Sequence, residues 1–113
     1  MEFEYAACGI SGLETSLGLS LSLVHEGVLS WPDLIARMSC NPARILNLPR
    51  GTLAKGAAAD ITVIHPELDW RVDAAAFRSL GKNSPFSGRK LKGRAVLSIV
   101  GGDIKYDGLA SKP

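Results

Sequence analysis

Catalytic chemistry in this chain would have to come from two histidines, two cysteines, scattered carboxylates, or a glycine-bracketed loop near its front. A metal centre needs several His, Cys or carboxylate ligands at workable spacing. His25 and His65 stand 40 residues apart, with no HxH, HxxH or HExxH arrangement. His25 falls at the end of an apolar helical stretch, where an imidazolium suits the helix dipole. His65 precedes Pro66 at the end of a strand-like run. Both read as surface or capping side chains, and no metal ligand is assigned. A nucleophilic thiol needs a base or a positive neighbour. The charges nearest Cys8 are Glu2, Glu4 and Glu14, so nucleophilic catalysis is rejected, and those carboxylates read as solvated surface. Cys40 reads as a small buried residue of an apolar helix. Gly101-Gly102 lacks the GxxxxGK pattern of a phosphate loop and reads as a hairpin turn.

The informative block is Gly9-Ile-Ser-Gly-Leu-Glu-Thr15. Its glycines allow tight backbone, and Leu13, Leu17, Leu21 and Val24 then start a helical apolar stripe. Glu14 falls in the first turn, where a carboxylate suits the dipole. Loops of this kind, between a strand and a helix, carry the chemistry of α/β enzymes. Only Met1 to Cys8 come before it, too little for a barrel, so the chain reads as the tail of something larger.

The elements follow from period and punctuation. Leu13 to Glu26 is a helix stopped by Gly27, in preference to the strand-like alternation of Leu17 to Leu23. Gly18 weakens its interior or marks close packing. Ser30-Trp-Pro-Asp33 starts a second helix running to about Ser39 or Cys40. Asn41 caps a third, short helix with Pro42 in its first turn, ended by Pro49-Arg50-Gly51. The rest is β-rich. Thr52 to Gly56 is a short strand or turn, and Ala59 to Ile64 is a strand stopped by Pro66. Trp70 to Asp73 is a short extended piece, Ala74 to Arg78 one helical turn, and Lys82 to Gly88 a loop. Arg94 to Val100, Gly101-Gly102 and Asp103 to Tyr106 form a hairpin with a two-residue turn. Leu109 to Pro113 is a frayed tail. Helices first and strands after make an α+β organisation.

Composition bounds the class. The 113 residues allow one domain at most, with a modest core. Hydrophobic content of 46% and charged content of 21% exclude a disordered chain. The net charge of +2 is small. The cluster Arg89-Lys90, Lys92 and Arg94 has only Phe86 as an aromatic neighbour, so a solvated strand start is preferred to a nucleic-acid patch. No apolar run approaches the ~20 residues of a membrane span. The acidic Met-Glu-Phe-Glu start is unlike a signal peptide, and two isolated cysteines make no disulfide framework. Cytoplasmic location with reduced thiols is expected, with no nucleic-acid or membrane partner.

Cys8-Gly-Ile-Ser-Gly-Leu-Glu-Thr15 resembles the segment after the last barrel strand of bacterial type I dihydroorotases, zinc amidohydrolases of pyrimidine synthesis. The resemblance continues, in order, at Asn41-Pro-Ala-Arg-Ile-Leu-Asn-Leu48, Gly51-Thr-Leu-Ala-Lys-Gly-Ala-Ala-Ala-Asp-Ile-Thr-Val63, Asn83-Ser-Pro-Phe-Ser-Gly-Arg-Lys-Leu-Lys-Gly-Arg94 and Ile99-Val-Gly-Gly102. The Asn-Pro-Ala and Gly-x-Ala-Ala-Asp blocks are shared with other amidohydrolases. The Gly-Leu-Glu-Thr and Ser-Pro-Phe-x-Gly blocks are more specific to dihydroorotase. The resemblance implies an α+β fragment: terminal helices of a metal-dependent hydrolase TIM barrel over residues 1–50, strands of the small C-terminal β-sandwich subdomain over 51–108, and a tail over 109–113. The hairpin strands would then have an unpaired edge. It implies reversible hydrolysis of dihydroorotate to carbamoyl aspartate by a parent enzyme whose zinc ligands all lie upstream of the matched part. The chain alone is therefore expected to be inactive and to bind no zinc. One element does carry over: a backbone loop that contacts substrate, mapping onto Cys8 and Gly9, with Ala7 where the family usually has proline. The resemblance also implies a small-molecule substrate and homo-oligomers or association with aspartate carbamoyltransferase. Two other readings stand beside it: a non-catalytic docking module that pairs with a separate barrel portion or subunit, and a fragment of allantoinase or dihydropyrimidinase.

Overall fold

The computed structural model describes residues 3–6 and 8–109. Ala7 and the last four residues of the expected tail lie outside the described residues. A 3-10 turn at Phe3–Tyr5 is followed, among the described residues, by three α-helices and three strands. The first helix, α1, runs Ser16–His25 and ends through Glu26 at Gly27, as its pattern predicts. It starts later than the stripe suggests. Leu13 to Thr15 form a turn, and Leu13 is exposed. The face that α1 buries is set by Thr15, Gly18 and Leu21, spaced three residues apart.

Helix α2, Trp31–Ile35, is capped by Ser30, whose hydroxyl accepts the Asp33 N–H at 3.2 Å. The chain does not then stop and restart. It continues through a wide π turn at Ala36–Cys40 into α3, Asn41–Ile45. Asn41 is therefore not a cap. It has helical dihedrals, and its N–H reaches back five residues to Ala36 O. Pro42 supplies the reason, because it has no N–H to give and its ring crowds the carbonyl four residues back. Widening the turn absorbs both defects without breaking the helix.

Residues 51–60 are turns without a strand, and β1 runs Ile61–Arg71. Pro66 does not end β1. The pairing with β2 (Lys90–Val100) slips between His65 and Asp69, so Pro66 and His65 sit in an irregularity inside one long strand rather than at its end. A bulge is where a proline is tolerated in a sheet. The expected extended piece at Trp70 is the far half of this strand. A 3-10 turn at Ala74–Ala76 follows, capped by Asp73, and then the expected loop.

The hairpin from β2 to β3 (Asp103–Asp107) turns at Gly101 (φ 58°) and Gly102 (φ 85°). Two positive φ values make the mirror-image turn that matches strand twist. Asp60 secures it: one carboxylate oxygen accepts the Gly101 N–H at 2.9 Å and the other meets Arg50 Nε at 2.8 Å. The sheet is antiparallel in the order β1-β2-β3, so β1 and β3 have open edges among the described residues.

Helix α1 lies across β2 in very close contact. A Cβ on Gly18 would fall 2.9 Å from Leu91 and 3.2 Å from Trp70, so Gly18 marks packing. The core gathers Val72, Ala74, Phe77 and Leu91, with Leu19, Trp70 and Phe86 against it. Trp70 satisfies its indole N–H on Gly93 O at 2.8 Å.

Candidate functional site

The expected substrate contacts, Cys8 and Gly9, are exposed and stand outside regular structure. The position of Gly9 is set from 74 residues away, by the loop that follows the 3-10 turn at Ala74–Ala76. The Asn83 side-chain amide donates to the Gly9 carbonyl, and the Asn83 carbonyl accepts the Ser11 N–H at 2.8 Å. Three residues on, Glu14 accepts the N–H groups of Arg78 (3.2 Å) and Ser79 (3.1 Å), one on each carboxylate oxygen. The Lys82 ammonium donates to Phe77 O and closes the 77–83 loop on itself. Phe86, just beyond this loop, packs against the core.

Glu14 thus has a different task from the one its helical pattern suggests. It stands before α1 and supports no dipole; it ties two loops together. The Ser79 N–H, with help from the Arg78 N–H and the Lys82 charge, holds its carboxyl below the usual range, against the opposing effect of burial.

Gly9 has no positive φ, and a Cβ there would meet nothing within 4 Å. Neither strain nor packing inside the chain demands glycine at this position. Cys8 is exposed and free. Cys40 is half-buried, not fully buried as expected, because it lies at the π turn, where its thiol donates to Gly51 O at 3.3 Å.

A groove of about 320 Å³ opens between the start of α1 and the sheet, lined in part by Leu13, Glu14, Arg78, Arg94, Trp70 and Tyr106. Neither Cys8 nor Gly9 lines it. The basic cluster is engaged within the fold: Arg94 stacks 4.4 Å over Trp70, Arg89 lies 5.9 Å over Phe86, and Lys92 sits 3.8 Å from Glu67. His25 ends α1, and His65 accepts the Glu67 N–H. Among the described residues, no three His, Cys, Asp or Glu side chains gather to hold a metal ion.

Residues 2–105 match the model of the amidohydrolase family. The chain belongs to this family. Curated dihydroorotases of Syntrophus aciditrophicus and Geobacter metallireducens are each 57% identical to this amidohydrolase over 106 residues, 94% of its length. It spans about a quarter of theirs, 25%. In backbone it is similar to the L-hydantoinase (dihydropyrimidinase) of Arthrobacter aurescens, with a TM-score of 0.85 and 39% identity. That match covers 91% of this chain and 24% of the hydantoinase. A D-hydantoinase structure also matches with a TM-score of 0.85, at 26% identity over 94% of this chain and 24% of its own. Amidohydrolases are generally metal-dependent hydrolases, but the described side chains of this one do not fit a metal centre. No helix among the described residues is long and apolar enough to cross a membrane.

Asn83 and Glu14 are the residues whose roles sequence reasoning missed. The Asn83 block is visible as a turn, but nothing in local pattern says that its amide reaches Gly9, 74 positions away.

Proposed function

We propose that this chain serves dihydroorotase chemistry, the reversible hydrolysis of (S)-dihydroorotate to N-carbamoyl-L-aspartate. The carrying observation is the 57% identity to curated dihydroorotases over nearly the whole chain, against 39% to the hydantoinase of nearly the same fold. Residues 1–50 would belong to the barrel and 51–108 to the smaller β-rich subdomain. The zinc of the reaction would be held by the other part of the enzyme, and a cytoplasmic location suits such an enzyme. Association with further copies or with aspartate carbamoyltransferase belongs to the same reading.

Within it, the backbone at Cys8 and Gly9 contacts the substrate. An exposed glycine with open space over its α-carbon and no strained dihedral supports this, because a ligand arriving from outside the chain gives a reason for the missing side chain. A docking role, in which the chain pairs with a separate barrel portion, is favoured by its exposed apolar side chains, among them Ile45, Leu53 and Leu80.

The test replaces the matching 106 residues of the Syntrophus aciditrophicus dihydroorotase with this segment. The chimera should hydrolyse dihydroorotate within about tenfold of the parent kcat/KM, a loss of ~1.4 kcal/mol in transition-state stabilisation. Gly9→Ala in the chimera should raise KM without lowering its thermal stability. A folded chimera without turnover overturns the dihydroorotase reading. If Gly9→Ala leaves KM unchanged, the assignment of the loop falls.

A further inference from the structure

The segment 9–14 is held by the 77–83 loop at two places, Asn83 and Glu14, and only Asn83 grips the peptide that the proposed function puts against substrate. At that place, Asn83 donates its side-chain N–H to the Gly9 carbonyl and accepts the Ser11 N–H on its own carbonyl. The two bonds clamp a stretch of three residues from one side. A trans peptide is planar, with its C=O and N–H pointing in opposite directions. Once Asn83 holds the Gly9 carbonyl, the Ile10 N–H must face away from Asn83. No acceptor among the described residues takes that N–H, and Ile10 is 57% exposed. A backbone donor with no partner among the described residues is available to a ligand oxygen.

We propose that Asn83 is a positioning residue for substrate binding: it occupies the Gly9 carbonyl and fixes the 9–10 peptide so that its N–H is presented to a carboxylate or carbonyl oxygen. The inference rests on the reading of Cys8 and Gly9 as the substrate loop, and it gives that loop a direction. The loop is tied into the fold in other ways: Glu14 holds Arg78 and Ser79, and Lys82 holds Phe77. Asn83 alone among these acts on the Gly9–Ile10 peptide.

Asn83→Asp is the sharpest change, because it keeps size and backbone while removing the donor and placing a carboxylate oxygen against the Gly9 carbonyl. Asn83→Ala is the second variant, should the aspartate disturb folding, and Lys82→Met is the control within the same loop. All three are made in the dihydroorotase chimera, with two readouts. Deuterium uptake of a peptide covering residues 8–12 should rise in both Asn83 variants and stay unchanged in Lys82→Met. KM for dihydroorotate should rise about fivefold with kcat held, the pattern expected when an interaction present in both ground and transition state is lost. Uptake equal to the parent chimera in both Asn83 variants overturns the proposal. A fall in kcat at constant KM, or an equal KM rise in Lys82→Met, also overturns it. If the parent chimera itself lacks turnover, the dihydroorotase reading fails, and deuterium uptake still decides whether Asn83 fixes the loop.

Discussion

At the scale of single residues, two side chains with unremarkable local patterns set the geometry of the loop that matters most. Glu14 exemplifies how a helix-dipole argument fails. The sequence places a carboxylate near a helix start, but the helix begins two residues later, and the carboxylate finds two backbone donors in a distant loop instead. Charge-assisted bonds of this kind favour the ionised form, so its carboxyl titrates below the ordinary range. A depressed pKa in the folded state means that the stabilisation is present above the unfolded value, about 4.3, and is lost as pH falls through the folded value. The amide proton shifts of Arg78 and Ser79 should therefore titrate together, with a midpoint below that of an ordinary glutamate. Glu14→Gln should abolish that titration while leaving the Asn83–Gly9 tie intact. Independent midpoints for the two amides, or one at or above that of an ordinary glutamate, would separate them from Glu14.

At the scale of elements, packing is tightest where α1 crosses the sheet. Gly93 lies in β2 with φ of 103°, and a Cβ there would collide with the Leu21 side chain and stand 3.1 Å from Pro66 O. Leu21 is 0% exposed, so it has no free space into which to move. Gly93→Ala should cost about 2–4 kcal/mol through combined dihedral strain and overpacking, read by urea denaturation of the folded chimera. A loss under about 1 kcal/mol would mean that α1 can lift off the sheet more easily than its contacts imply. The same elements show how far the sequence is legible. The Ser30 cap, the Gly27 stop and the Gly101-Gly102 turn are local events, each decided within four residues, and each stands where pattern predicts. Misjudged positions are those where a local breaker meets a longer-range gain. Pro42 is absorbed by a π turn, and Pro66 by a slip in a strand already paired on both sides of it. The Asn83–Gly9 tie closes over 74 positions, and no periodicity encodes such a contact.

At the scale of the molecule, the buried apolar set is small: Leu21, Leu34, Ala43, Val72, Ala74, Phe77, Leu91 and Val96. Against it stand Leu80 at 100%, Ile45 at 80%, Leu53 at 79% and Leu46 at 68% exposure. The radius of gyration is 16.0 Å, whereas a compact domain of this length has about 13 Å. Single exposed apolar residues are ordinary, but so many of them on an extended body with two open sheet edges leave burial to be completed by another surface. The relatives supply one of the right kind, since this chain corresponds to 25% of their length. The 113-residue chain mixed with the remaining three-quarters of the Syntrophus aciditrophicus dihydroorotase, expressed separately, should form a complex and recover dihydroorotate turnover. The isolated chain should show neither turnover nor stoichiometric zinc. Ile45→Glu should weaken that complex by at least about tenfold, because a charge placed at the centre of an apolar contact costs more than ~1.4 kcal/mol when it has no partner. Undiminished affinity in that variant would move the contact away from α3 and toward the open edges of β1 or β3. Turnover or stoichiometric zinc in the isolated chain would refute the assignment of the metal chemistry to the complementary part.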